Sequence, residues 1–127
     1  MAAVRGMDTK PELAVRRFLH ARGLRFRLHR KDLPGSPDLV FPSRRVVVFV
    51  HGCFWHQHPD CRRAKRPQTR AEFWHEKLDA NIARDVAALE ALERAGRRAL
   101  VIWVCEIGNE RLERLYRDIL QASENRG

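Results

Sequence analysis

The stretch from His51 to Cys61, HGCFWHQHPDC, gathers three histidines, two cysteines and two large aromatics within eleven residues. Those residue types support two kinds of chemistry. Thiolates combined with an imidazole bind zinc, and an imidazole that titrates near neutrality carries protons. Cys53-x4-His58-x2-Cys61 has knuckle-like spacing, and Cys105, far along the chain, offers a third thiolate. Three sulfurs and one imidazole close a tetrahedral site with no open position, so the expected zinc is structural. It would pin the loop after one strand to the end of another. His56 competes with His58 as the fourth ligand, since only two residues separate them and spacing does not choose. Three buried free cysteines are the plainer alternative. Zinc is favoured because the site uses every cysteine in the chain.

A second constellation is acidic. Asp38 stands directly after Pro37, twelve residues before Val50 and thirteen before His51. If these segments are adjacent strands, the carboxylate meets the end of the second. A carboxylate, a main-chain carbonyl and water suit Mg²⁺, a hard cation that seeks oxygen. Such an ion stabilises charge on a phosphodiester and activates water. His51 and His56 are candidates for base, acid or charge stabiliser. Glu12 and Asp85 sit on predicted helices that could flank the same edge, and Asp85 interrupts an otherwise apolar helix side. Each has a plainer role open to it: a turn cap for Asp38, a capping-box residue for Glu12, a core histidine for His51. Phe54, Trp55 and Trp74 could stack on bases or wedge between base pairs. They could equally cover the zinc site or, for Trp74, pack a helix.

These groups need a scaffold, and the hydrophobic pattern supplies one. Thr9-Lys10-Pro11-Glu12 reads as a helix start, with Thr9 as cap, running to about Arg22 and stopped by Gly23. Leu24 to His29 alternates apolar and polar, as a half-buried strand does. Asp38 to Phe41 is a short strand, and Val46 to Val50 is a β-branched run that reads as a buried central strand. A long helix is expected from about Thr69 to Arg94, with Trp74, Leu78, Ile82, Leu89 and Leu92 inward. Ala99 to Val104 is a further strand, and a last helix begins near Asn109. The order αβββαβα describes an α/β domain of two or three layers.

Composition narrows the partners. The 127 residues form one expected domain (1–127), with 1–8 as a short mobile arm. The formal net charge is +9, from 25 Lys+Arg against 16 Asp+Glu, and arginine dominates. That excess points to a polyanion, nucleic acid first, although a basic surface can also be idle. No apolar run approaches the roughly 20 residues a membrane span needs. The N-terminal residues lack a secretory signal's apolar stretch, so the expected compartment is a reducing cytoplasm. Together the acidic, histidine and basic features favour a nuclease.

Several segments carry a more specific likeness. They are Asp8 to Glu12, Phe26 to Gly35, Pro37-Asp38, Phe49 to His56, Thr69-Arg70 with Glu72-Phe73-Trp74, Arg84-Asp85, and Trp103-x-Cys105. These resemble the very short patch repair mismatch endonuclease family over roughly Asp8 to Glu106. The His-Gly-Cys-Phe-Trp-His run is the most specific of them. The resemblance implies a restriction-endonuclease-like fold related to the PD-(D/E)XK nucleases. It implies recognition of the T:G mismatch left when 5-methylcytosine deaminates, and a nick 5′ to the T that starts short-patch repair. It implies Mg²⁺ on Asp38 and the Val50 main-chain carbonyl, with His56 as general base oriented by Asp85. His51 and Glu12 would complete the site. Phe54, Trp55 and Trp74 would wedge into the duplex, and Cys53, His58, Cys61 and Cys105 would hold zinc. A monomer is implied, with mismatch-repair proteins as possible partners.

The chain departs from the family in three places. Val50 replaces a threonine found in a bacterial member, which removes a hydroxyl but keeps the carbonyl. The gap from His58 to Cys61 is one residue longer. The N-terminal arm, which helps clamp DNA in the family, is short. These leave two competitors: a nuclease of the same superfamily without mismatch preference, and a non-enzymatic zinc module that only binds DNA.

Overall fold

A short β-branched and aromatic run with no polar interruption suits a strand covered on both faces, and Val46 to Phe49 forms one. All four are buried in the computed structural model, which describes residues 9–124. The predicted arm over residues 1–8 lies outside the described residues. The elements are α1 (Lys10–Ala21), β1 (Arg27–Leu28), β2 (Leu39–Phe41), β3 (Val46–His51), α2 (Ala71–Arg94), β4 (Arg98–Trp103) and α3 (Asn109–Glu124). The αβββαβα order holds.

The four strands pair in the order β1-β2-β3-β4. The first three are antiparallel neighbours, while β4 runs parallel to β3 with His51 opposite Trp103. A parallel pair needs a crossover, and α2 is that crossover. Side chains on a strand alternate faces, so β3 feeds two cores. Val46 and Val48 join Val15 and Leu19 of α1 and Leu112, Leu115 and Ile119 of α3. Val47 and Phe49 join Leu92 of α2, with Leu89 against them. The fold is therefore three layers, with α1 and α3 on one face of a mixed sheet and α2 on the other.

The ends of α1 follow from local chemistry. Thr9 Oγ1 accepts the Glu12 N–H at the N-terminus, and Pro11 fits the first turn. Gly23, at φ +86°, ends the helix in the left-handed region that glycine enters freely. The Glu12 side chain pairs with Arg16 and His29, contacts a capping box does not involve.

Three expectations need correction. β1 is two residues long rather than six, and Leu28 is 39% exposed, so the alternation from Leu24 overstates the strand. His29 adopts φ +51°, which breaks the extended backbone there. Ile82 is 36% exposed rather than inward, because it borders a shallow, open hollow under residues 57–66 instead of the core. α2 also starts at Ala71, after Arg70 at φ +54°, not at Thr69.

Candidate active site and candidate metal centre

The topology concentrates function at one edge of the sheet. β3 and β4 are parallel, so both deliver their C-terminal ends there, and antiparallel β2 begins there. His51 closes β3, Asp38 immediately precedes β2, and Cys105 lies in the single turn after β4. Such carboxyl edges are where open α/β sheets place their sites.

Asp38 is tied into the sheet by its own side chain. Its Oδ2 accepts the Val50 N–H at 2.7 Å, and its N–H donates to the Val48 carbonyl at 3.1 Å. Burial pushes its carboxyl from 3.8 up to about 6. The Val50 N–H opposes that rise, the Glu12 charge adds to it, and the positive forms of His29 and His56 oppose it. A carboxylate crowded by another one is a place where a cation lowers the energy.

His51 is 6% exposed, and its ring stacks on His56 with centroids 3.8 Å apart and 6° between planes. Burial, aided by the charge of His56 and opposed by Asp85, holds its imidazole down at about 4. It is a neutral ring at physiological pH. His56 Nδ1 lies 2.7 Å from Asp85 Oδ2. A carboxylate that accepts a hydrogen bond from Nδ1–H fixes the tautomer and leaves Nε2 as a base, an arrangement used by general-base histidines.

Asp85 reaches the cleft because of helix periodicity. Lys77, Asn81 and Asp85 recur at intervals of four, with Arg84 and Ala88 beside them, and share one face of α2. That face forms one wall of an open cleft of about 1340 Å³, with Thr9, Pro11 and Glu12 at the start of α1 on its rim. Gly35 passes between the walls. A Cβ there would lie 2.8 Å from Ala88 Cβ and 3.1 Å from Phe49, and its φ is +74°. Only glycine meets both conditions.

The aromatics form one cluster beside this cleft. Phe54 meets Trp55 and Trp74 edge-on at 5.2 Å and 5.5 Å, and Trp55 lies 5.9 Å from Trp74. Trp55 is 46% exposed, and Asn81 Nδ2 donates to its carbonyl at 3.2 Å. Phe73, 44% exposed, joins the cluster at 5.1 Å from Trp74, and Arg70 lies over its ring at 4.3 Å.

The three cysteines gather with His58, the histidine nearest them. Ligand atoms of Cys53, His58, Cys61 and Cys105 all lie within 4.8 Å of one another. Cys61 Sγ is 3.9 Å from Cys105 Sγ, and Cys105 Sγ is 3.3 Å from His58 Nδ1. Tetrahedral Zn–S and Zn–N bonds put ligand atoms about 3.6–3.8 Å apart, so the donor set fits zinc. His58 also stacks on Trp103 at 4.3 Å, and its Nε2 faces Glu106 at 3.8 Å. A carboxylate behind a ligating histidine is the usual support for such a ring. His56 is committed to Asp85 instead.

The structure thus brings Glu12, Asp38, His51, His56 and Asp85 to one cleft. The sequence reading gave no role to His29, Arg16, Lys77, Asn81, Arg84 or Phe73. Lys77, Asn81 and Asp85 shared a four-residue interval that could have found the first two. Nothing in the alternation around β1 pointed His29 at Glu12.

Among the described residues no helix is long and apolar enough to cross a membrane. Residues 1–63 match the family model for the DNA mismatch endonuclease Vsr. The chain is 53% identical over 124 residues to the type II nicking enzyme V.XorIIP of Xanthomonas oryzae pv. oryzae, covering 97% of this chain and 90% of that one. It is 40% identical over 127 residues to the type II nicking enzyme V.NmeAIP of Neisseria meningitidis, covering 96% and 90%. It is 42% identical over 113 residues to the DNA mismatch endonuclease Vsr of Escherichia coli, covering 88% and 72%. With likeness of this extent, the chain belongs to the Vsr family of DNA mismatch endonucleases.

Proposed function

We propose that this enzyme nicks one strand of duplex DNA 5′ to the T of a T:G mismatch. The observation that carries the proposal is the His56–Asp85 pair, 2.7 Å apart, opening on the same cleft as Asp38. V.XorIIP and V.NmeAIP are named as nicking enzymes, and the Escherichia coli relative as a mismatch endonuclease. The T:G preference follows the family resemblance carried by the His51 to His56 run. The three-layer fold with this edge-on site agrees with a restriction-endonuclease-like core.

Asp85 holds the His56 ring so that Nε2 takes a proton from water. The water oxygen bonds to phosphorus, and one P–O ester bond breaks. Neutral His51, stacked on His56, packs against the base and helps hold its ring in place. Asp38, Glu12 and the Val50 carbonyl are the oxygen donors proposed to hold Mg²⁺. That ion, when bound, supplies charge stabilisation at the phosphate and acidifies water. Cys53, His58, Cys61 and Cys105 hold structural zinc, which ties the aromatic loop to the end of β4. Phe54, Trp55 and Trp74 form the wedge, and Lys77 and Arg84 supply cationic contacts in the cleft. One copy provides every group, so the enzyme acts as a monomer on DNA.

Two substitutions test the assignment. His56→Ala should lose about 10²–10⁴-fold in single-turnover nicking, as loss of a general base does. Asp38→Ala should retain DNA binding and abolish nicking. Nicking by pure Asp38→Ala protein at the wild-type rate removes Asp38 from the mechanism.

A further inference from the structure

Glu12 is 1% exposed, and among the described residues it is the buried carboxylate. Burying a carboxylate is costly unless it is paired and hydrogen-bonded. Both partners act on the same oxygen. Arg16 Nη2 pairs with Glu12 Oε2 one helical turn away, and His29 Nε2 lies 2.9 Å from that oxygen. Arg16 Nη2 and His29 Nε2 are themselves 3.0 Å apart. Glu12 and Asp38 line the cleft, whereas Arg16 and His29 are not among its lining residues. Arg16 and His29 therefore grip Oε2 from outside the cleft that Glu12 itself lines.

His29 also reaches the second carboxylate residue. Its main-chain N–H donates to the Asp38 carbonyl at 3.2 Å. One residue thus joins α1 to the start of β2, by side chain on Glu12 and by backbone on Asp38. Its φ of +51° turns the chain out of β1 at that point. Ligand-type atoms of Glu12, His29 and Asp38 all lie within 4.8 Å of one another. A direct ligand role for His29 fails on electrostatics, because the Arg16 guanidinium already sits against Nε2 and repels a divalent ion there.

We infer that His29 and Arg16 are positioning residues that fix the Glu12 carboxylate relative to Asp38, and so set how tightly the two carboxylates hold a divalent cation. The inference rests on the reading that Glu12 and Asp38 share a cation site. Groups that orient ligands in this way change metal affinity or activity by about 10–100-fold when removed.

The test uses the full zinc-loaded chain, with Mn²⁺ alone as the binding probe read by electron paramagnetic resonance. His29→Asn accepts the left-handed backbone, but its side chain is too short to reach Glu12. His29→Gln reaches with an amide donor. His29→Asn should weaken Mn²⁺ binding about 10–100-fold and slow nicking, with metal-free DNA affinity unchanged. His29→Gln should restore most of both. In a Glu12→Gln background, His29→Asn should add no further loss. Wild-type Mn²⁺ affinity in His29→Asn, or an equal loss in both backgrounds, overturns the inference. If His29→Asn does not fold, His29→Gly also tolerates φ +51° and removes the side chain, with the same outcomes. If Glu12→Gln alone leaves Mn²⁺ binding and nicking unchanged, the shared cation site fails instead.

Discussion

Asp38 and His51 titrate in opposite senses, and the consequence is measurable. Asp38 holds its proton up to about 6 when folded, against 3.8 when unfolded. Its contribution to stability is therefore lost as pH rises from about 4 to 6. His51 holds a proton only below about 4 when folded, against 6.5 when unfolded. Its contribution is recovered as pH rises from about 4 to 6.5. Each effect is on the order of 3 kcal/mol, and over a shared window they nearly cancel. In Mg²⁺-free buffer, Asp38→Asn should then show stability rising with pH across that window, and His51→Gln should show it falling. Denaturant midpoints measured at several pH values decide this, and parallel pH profiles for both variants contradict it. At this scale much was legible. Asp38, His51, His56 and Asp85 declared themselves by residue type and by their distance from a strand end. His29 did not, because a positive φ turns it, and alternation cannot reveal a backbone reversal.

At the scale of elements, the loop between β3 and α2 carries Cys53, His58 and Cys61 of the proposed zinc set and Phe54 and Trp55 of the proposed wedge. Its anchors are Cys53 at one end and Cys105 beyond β4. Cys105→Ala should drop bound zinc well below one per chain by metal analysis and loosen the aromatic cluster. Retention of one zinc would place the fourth ligand elsewhere. Trp55, exposed at the cleft mouth, should matter most on mismatched DNA. Trp55→Ala should cost roughly 1–3 kcal/mol more on mismatched than on matched duplex in binding assays, by the value of a stacked base. Equal losses on both duplexes would remove the wedge role. The order of elements along the chain and the gathering of the cysteines with His58 were readable because buried β-branched runs and cysteines have few alternatives. The length of β1 was not, since alternation without a covering layer leaves Leu28 in solvent. The inward placement of Ile82 failed because a helical period does not show what covers a face: Ile82 meets the loop after β3 and stays 36% exposed.

For the whole molecule, the excess of 25 basic over 16 acidic side chains supplies a sequence-independent attraction to phosphate. Affinity for matched duplex should fall steeply with salt, by a slope of about −0.9 per phosphate neutralised. The ratio of mismatched to matched affinity should change little, because an aromatic wedge releases no counterions. The central claim, that the cleft cuts at T:G pairs, is tested most directly by nicking end-labelled duplexes. Each carries one T:G pair in several flanking contexts, beside T:A and C:G controls, with and without Mg²⁺. The account predicts a single Mg²⁺-dependent nick 5′ to the T, absent from matched duplexes. Equal cutting of matched and mismatched duplexes would contradict it.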